Sequence, residues 1–258
     1  MIVMSDLAGT PPAAVQPSVL RVEVLRHFRL TLNGTVLDLG HTGERLVAFL
    51  ALEDRSPTRD QVAAELWPEA RQSQAAASLR RALSIVRRCV PGLVRREANR
   101  LALTSEVSVD ARAQRDLIDA ITTGEQCTAD GHELRLLRGD LLPDWDELWL
   151  GTVRQELRLL RLLSLEAVAA TALAERRPGA ALATALAAVH DEPLRESAHR
   201  LVIEAHLAQG NQAAAAQQYW RYRDQLWDDL RILPSAAMEN LVQGLRDGDL
   251  PTRMLIAH

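Results

Sequence analysis

The chain has 258 residues, 47% of them hydrophobic and 25% charged, which excludes a disordered protein and leaves room for two domains. Its two cysteines, Cys89 and Cys127, are isolated in the sequence, which excludes a disulfide framework and favours a reducing compartment. All 30 basic residues are arginine, so a Walker-type phosphate loop, which needs lysine, is excluded. With neither a signal-peptide pattern nor an apolar run of membrane-spanning length, we expect a cytoplasmic protein without membrane association.

Three short β-type runs are predicted after a flexible, proline-containing leader at residues 1–18. The runs lie at residues 19–25, 27–32 and 35–39. Asn33-Gly34 separates the last two and is a dipeptide favoured in tight hairpins. The sequence therefore predicts a small N-terminal sheet.

Two helices are predicted next. The first covers residues 42–54 and turns its apolar residues inward, namely Leu46, Val47, Phe49 and Leu50. Thr58 can cap the second helix, which begins at Arg59 and ends before Pro68. The Thr58–Arg59 end can alternatively hold a DNA phosphate at a helix N-terminus.

A third helix is predicted over residues 72–90, and its two faces differ sharply. The apolar stripe contains Ala75, Ala76, Leu79, Ala82, Leu83, Val86 and Val90. The opposite face contains Ser73, Gln74, Ala77, Arg80, Arg81, Ser84, Arg87 and Arg88. No acidic residue lies in this stretch to neutralise the arginines, so a polyanion is a natural partner. The alternative is a surface helix whose arginines pair with acids elsewhere in the chain.

The distribution of charge favours the polyanion. Residues 71–100 contain eight arginines and one acid, a balance of +7, so the net charge of −4 leaves −11 for the rest. A basic module joined to an acidic body is typical of a nucleic-acid reader that carries a protein-interaction domain.

Residues 93–105 predict a hairpin around Ala98-Asn99 after Pro91-Gly92 ends the third helix. Three strands, three helices and a hairpin match a winged helix-turn-helix of the OmpR type. In that geometry the third helix enters the major groove and the hairpin, or wing, follows the neighbouring backbone. A winged helix that binds protein is the alternative, although it would not need so one-sided a charge.

The predicted DNA-binding residues come from these elements. They are Thr58, Arg59, Gln74, Ala77, Arg80, Arg81, Ser84, Arg87, Arg88, Arg96, Asn99 and Arg100. Glutamine can contact adenine edges, arginine can bridge guanine O6 and N7, and alanine can contact a thymine methyl group. The alternative for Arg87 and Arg88 is a contact with phosphate, or an ion pair with an acid of the chain. The alternative for the three wing residues is a hairpin that is exposed to solvent and binds nothing.

The chain after about residue 110 is predicted to be helical throughout. Asp144 and Glu147 suggest a capping box at the start of a helix that runs to about Arg176, where Pro178 and Gly179 break it. Further helices are predicted near 179–190, 194–209, 211–230 and 235–246. Matches at an offset of 34 residues, the tetratricopeptide period, pair Val168 with Val202, Ala181 with Ala215 and Leu186 with Trp220.

Several stretches resemble the Streptomyces antibiotic regulatory protein (SARP) family of transcriptional activators and its bacterial transcriptional activator domain. The most specific are RGDLLPDW at residues 138–145, DEPLRESAHRL at 191–201 and AHLAQGN at 205–211, joined by QYWRYR at 218–223. The likeness covers about residues 19–245. The wing departs from the family, with Asn99-Arg100-Leu101 in place of its usual Gly-Tyr pair.

The resemblance implies a mainly α protein with a small β component, in which an OmpR-like winged helix precedes an all-α, tetratricopeptide-like domain. We place these domains at residues 19–110 and 111–246, before a tail at 247–258. It also implies an activator that binds direct repeats of double-stranded DNA upstream of antibiotic or other secondary-metabolite promoters and recruits RNA polymerase holoenzyme. A second protomer would bind side by side and head to tail.

Analogy with OmpR-type domains makes the loop after the second helix a candidate polymerase contact. Its residues are Pro68, Glu69, Ala70, Arg71, Gln72 and Ser73. Trp67 is predicted to lie in the core, and Trp145, Trp149, Trp220 and Trp227 to pack between helices unless an exposed subset marks a partner groove.

No enzyme, metal or cofactor is predicted. No defensible Ser/His/Asp arrangement exists, and the spacing of His190, His199 and His206 suits packing or capping better than metal binding. Two other functions remain open, a tetratricopeptide adaptor that binds proteins and a ligand-gated regulator with a small molecule in the helical repeat. The first predicts no salt-sensitive DNA binding, and the second predicts a ligand-dependent thermal shift.

Overall fold

The computed structural model describes residues 19–246 and side chains as far as residue 243. The leader predicted at 1–18 and the tail predicted at 247–258 lie outside the described residues. As predicted, the chain is mainly helical with a small β component near its N-terminus. In chain order the elements are β1 (Leu20–Glu23), β2 (Arg29–Leu32), β3 (Thr35–Val36), α1 (Gly40–Leu52), α2 (Arg59–Leu66), α3 (Gln72–Cys89), β4 (Val94–Glu97), β5 (Arg100–Leu103), β6 (Val107–Val109), α4 (Asp110–Thr122), α5 (Gly131–Leu137), α6 (Leu148–Ala174), α7 (Pro178–Asp191), α8 (Glu196–Ala208), α9 (Gln212–Leu230) and α10 (Ala236–Arg246).

A four-stranded sheet has the order β3-β2-β1-β6. Its first three strands lie within the predicted runs but are shorter. Asn33 and Gly34 have φ values of 50° and 82°, and two successive positive φ values are what a type I′ hairpin turn requires. β6 was not predicted. It pairs in parallel with β1, with Val109 opposite Val22. It was missed because three residues are too few to show the alternation of apolar and polar residues that identifies a strand.

Helices α1, α2 and α3 share one apolar core with this sheet. The four residues of α1 that were predicted to point inward are all buried, and Val62 and Leu66 are buried on α2. The predicted helices are confirmed, although α1 begins two residues earlier than expected. Strands β4 and β5 form the predicted hairpin, with Ala98 at φ 53° in its turn.

Helices α6, α7, α8 and α9 stack in chain order, and each helix contacts the next. Of the pairs related by 34 residues, Val168 with Val202 and Ala181 with Ala215 are buried. The pair Leu186 with Trp220 is not a matching core pair, because Leu186 is exposed.

The capping box predicted at Asp144 and Glu147 was wrong. Helix α6 begins at Leu148, and Glu147 is its N-cap residue without a side-chain capping bond. The Glu147 carboxylate instead binds Arg45, which lies 102 residues earlier in the chain. Pro178 does not merely end α6, because it occupies the first turn of α7, where proline loses no helical hydrogen bond.

A short backbone ladder joins the two parts of the fold. Leu142 N donates to Val24 O at 2.9 Å and Arg26 N donates to Asp140 O at 2.5 Å. Gly139 makes this approach possible, since a Cβ there would lie 2.9 Å from the Cβ of Leu25. The RGDLLP stretch is therefore a structural junction between the winged helix and the helical repeats.

Candidate nucleic-acid interface

Helix α3 is held in place by its apolar stripe. Ala75, Leu79, Ala82, Leu83 and Val86 are buried, while Ala76, which was also predicted to point inward, is half-buried. The helix packs against α1 and α2. Each buried leucine or valine contributes about 1.5–3 kcal/mol relative to exposure, so the orientation of α3 is well determined.

The opposite face of α3 is exposed over its whole length. Its members are Ser73, Gln74, Ala77, Arg80, Arg81, Ser84, Arg87 and Arg88. Within residues 19–246, none of these four arginines forms an ion pair, and none donates a side-chain hydrogen bond. Among the described residues, these arginines therefore do not form the pairing with distant acids that the sequence left open, and the positive charge of this face is not neutralised there.

The C-terminal end of α3 carries Arg87 and Arg88 in its last turn. Positive side chains are favourable there because they interact with the negative end of the helix dipole, which explains their tolerance without an ion-pair partner. Both guanidinium groups remain exposed and free to contact a phosphate.

The wing places a further arginine beside α3. Arg96 has no ion pair in the described chain and lines, together with Arg87, a cleft of about 270 Å³ between helix and hairpin. Arg95 is paired with Glu97 at 3.0 Å, and Arg100 donates to the carbonyl of Ser56 at 2.6 Å. Of the three wing arginines, Arg96 therefore has the fewest polar side-chain contacts with the rest of the described chain. Arg100 serves partly to anchor the hairpin.

The N-terminus of α2 is already engaged by the protein. Thr58 forms a capping box with Gln61, which is the capping role considered for it. Arg59 N donates to Asn99 O at 2.8 Å, so this end of α2 is tied to the wing turn. Asp60 adds negative charge in the first turn, which makes a phosphate at this terminus less favourable than one on α3.

The connection between α2 and α3 is exposed at most of its residues. Pro68, Glu69, Arg71, Gln72 and Ser73 are exposed, and Ala70 is half-buried against the core. Gln72 and Ser73 already belong to the first turn of α3. The candidate polymerase loop is therefore an accessible corner next to the arginine face.

The histidines and tryptophans of the helical part have mostly structural positions. His199 is buried, stacks on Tyr222 with ring centroids 4.3 Å apart, and is hydrogen-bonded to Gln218, and its burial lowers its pKa. The described residues hold no cluster of His, Cys, Asp and Glu suited to a metal ion. Trp145, Trp149 and Trp220 are half-buried, whereas Trp227 is 47% exposed and does not pack between helices, so it belongs to the exposed subset that the sequence left open.

The arrangement defines a winged-helix protein with a following domain of stacked helices, and comparisons with known proteins identify its family. Residues 106–246 match the bacterial transcriptional activator domain. The chain is 30% identical over 255 residues to the regulatory protein AfsR of Streptomyces coelicolor, an alignment that covers 93% of this chain. It spans only 26% of the length of AfsR.

A solved structure shares the fold. It is Mycobacterium tuberculosis EmbR in complex with a low-affinity phosphopeptide, with a TM-score of 0.68 at 23% identity, and the match covers 92% of this chain and 68% of that one. The chain belongs to the family that carries this domain, the SARP family of transcriptional activators. Within residues 19–246, no helix has the length and apolar character needed to span a membrane.

Proposed function

We propose that this activator binds direct repeats in promoter DNA through α3 and the β4–β5 wing, and that it recruits RNA polymerase holoenzyme to biosynthetic promoters for antibiotics or other secondary metabolites. The observation that carries the proposal is the exposed face of α3, whose four arginines have no ion-pair partner in the described chain. A polyanion supplies the neutralisation that the protein does not.

The residues on this face divide by the contacts they suit. Gln74, Ala77, Arg80, Arg81 and Ser84 occupy the N-terminal and central turns of α3, the part of a recognition helix that contacts base edges. Arg87 and Arg96 line the cleft between helix and wing, and Arg88 follows Arg87 on the exposed face of α3, so a phosphate backbone would pass along these three arginines. Thr58, Arg59, Asn99 and Arg100 form a secondary group, tied to one another by backbone contacts.

Direct repeats follow from head-to-tail binding of two protomers. Side-by-side protomers in the same orientation put their α3 helices on one face of the duplex, one or two helical turns apart, at about 34–36 Å per turn. The partners of each protomer are then double-stranded DNA, a second copy of the chain and polymerase at the 68–73 loop. Such a function places the protein in the cytoplasm at the nucleoid.

The proposal is tested by binding of the purified chain to fluorescent duplexes tiled across neighbouring promoters, at two salt concentrations and with scrambled competitor. We expect a fragment with a repeated element to resist competitor and to lose affinity steeply as salt rises. Arg80→Ala should weaken binding to that fragment by about 1–3 kcal/mol. Arg21→Ala is the matched control, because Arg21 is also an exposed arginine but belongs to β1 and not to α3 or the wing.

Two results would contradict the proposal. Binding that any DNA displaces equally would make the arginine face a generic basic surface, and the adaptor function would then be preferred. Equal losses for Arg80→Ala and Arg21→Ala would show that α3 does not provide the recognition face.

A further inference from the structure

An apolar groove of about 400 Å³ lies on the molecule between the C-terminal ends of α1 and α2 and the first turns of α6. Its apolar lining consists of Phe49, Leu52, Pro68, Leu148, Trp149 and Val153. Leu148 is 82% exposed, the highest value among the large hydrophobic side chains of the described chain. An exposed leucine gains free energy when a partner covers it. Leu148 and the groove beside it therefore mark a surface where a partner can bind.

The floor of the groove is held rigidly. Trp149 meets Phe49 edge to face with ring centroids 5.4 Å apart, and its Nε1 donates to Glu147 at 3.2 Å. Glu147 is in turn held by Arg45, whose Nη2 and Nε both lie 2.7 Å from its carboxylate oxygens. A surface fixed in this way loses little conformational entropy when a partner binds.

The charge of the groove selects among partners. Glu53 and Glu65 line it, and no basic side chain does. Burial raises the pKa of Glu53, and the nearby carboxylates of Asp54 and Glu65 raise it further against the opposing effect of Arg115. Glu53 and Glu65 form no ion pair within the described residues, and negative charge at the edge of an apolar groove complements a helix that carries apolar residues on one face and arginine or lysine beside them.

We propose that this groove is a docking site for a basic amphipathic helix of RNA polymerase. The inference rests on the proposed function and adds to it the surface and the chemistry of the contact. Pro68 belongs both to the groove and to the 68–73 loop, so the two surfaces are continuous. No residue of α3 or of the wing lines the groove, and it therefore stays open when those elements contact DNA.

The test uses the full chain, purified RNA polymerase holoenzyme and a promoter that carries the operator. Leu148→Arg removes the apolar anchor and places positive charge opposite a basic partner. We expect promoter binding without polymerase to equal that of the wild type, while activated transcription falls about tenfold or more, as for an interface hot spot. Leu159→Arg is the matched control on the same helix, because Leu159 is 52% exposed and lies outside the groove. It should activate normally.

A photo-crosslinking residue at position 148 identifies the occupant. We expect an adduct with a polymerase peptide that has an apolar face flanked by basic residues, formed when promoter and polymerase are both present. An adduct within the chain, or with a second copy of it, overturns the inference. So does normal activation by Leu148→Arg, provided that the wild type activates. If the wild type neither binds the promoter nor activates it, the proposed function itself fails.

Discussion

Replacing Arg161 with methionine tests how the winged helix and the helical repeats are joined. The side chain of Arg161 on α6 is only 4% exposed. Its Nη1 donates to Gly139 O at 2.8 Å, and its Nη2 lies 2.7 Å from Asp140 and 2.8 Å from Asp191. The contact with Asp191 is an ion pair without hydrogen-bond alignment, but it is the contact that neutralises a nearly buried carboxylate.

The expected loss follows from these contacts. The hydrogen bond to Gly139 involves a charged donor and contributes about 1.5–3 kcal/mol. Removing the guanidinium also leaves Asp191, whose side chain is 14% exposed, without its counter-ion. Breaking a buried pair in this way costs about 3–5 kcal/mol in total. Asp140 is 64% exposed, so its own share is screened by water and stays within about 1 kcal/mol.

Urea denaturation followed by circular dichroism measures this loss as a change in the free energy of unfolding. Arg161→Met should lose about 3–5 kcal/mol, and Asp140→Asn no more than about 1 kcal/mol. Arg200→Met is the control, since Arg200 is 48% exposed and meets Glu204 only at 3.8 Å. A loss for Arg161→Met no larger than that of the control would refute the view that this arginine holds the junction together.

Three further predictions concern stability. Thr58→Ala should destabilise the chain by about 1 kcal/mol in thermal unfolding because it removes the capping box with Gln61, and Thr58→Ser, which restores the hydroxyl, should not. Gly34→Ala should cost about 1 kcal/mol because its φ is +82°, although no atom lies in the way of the new methyl group. Burial acts to raise the pKa of Glu166, but hydrogen bonds from Arg195 and Ser197 outweigh it and hold that pKa below its ordinary value of 4.5. The contribution of Glu166 is therefore present above this value and lost as pH falls through the lowered pKa, and Glu166→Gln should flatten the decline of stability in acid. An unchanged acid decline would contradict that assignment.

The sequence alone determined the elements whose information is local. The face of α3 follows from a 3.6-residue period over five turns, and burial matched the predicted stripe except at Ala76. The hairpin at Asn33-Gly34 and the cap at Thr58 follow from side-chain chemistry within three residues of each site. The family was also recognisable, because RGDLLPDW and DEPLRESAHRL are specific stretches of eight and eleven residues.

The tertiary structure decided what depends on residues far apart in the chain. Strand β6 exists because β1 offers it an edge, and its three residues carry no signal of their own. Glu147 was expected to cap its own helix, but Arg45 competes for its carboxylate across 102 residues. Ion pairing of the arginines depends on the fold in the same way: Arg161 is neutralised by Asp140 and Asp191, which lie outside its own helix, whereas Arg80 has no ion-pair partner among the described residues. Ion pairing depends on the distance between two groups in space and not on their separation along the chain, so only the folded chain determines which arginines remain for a partner.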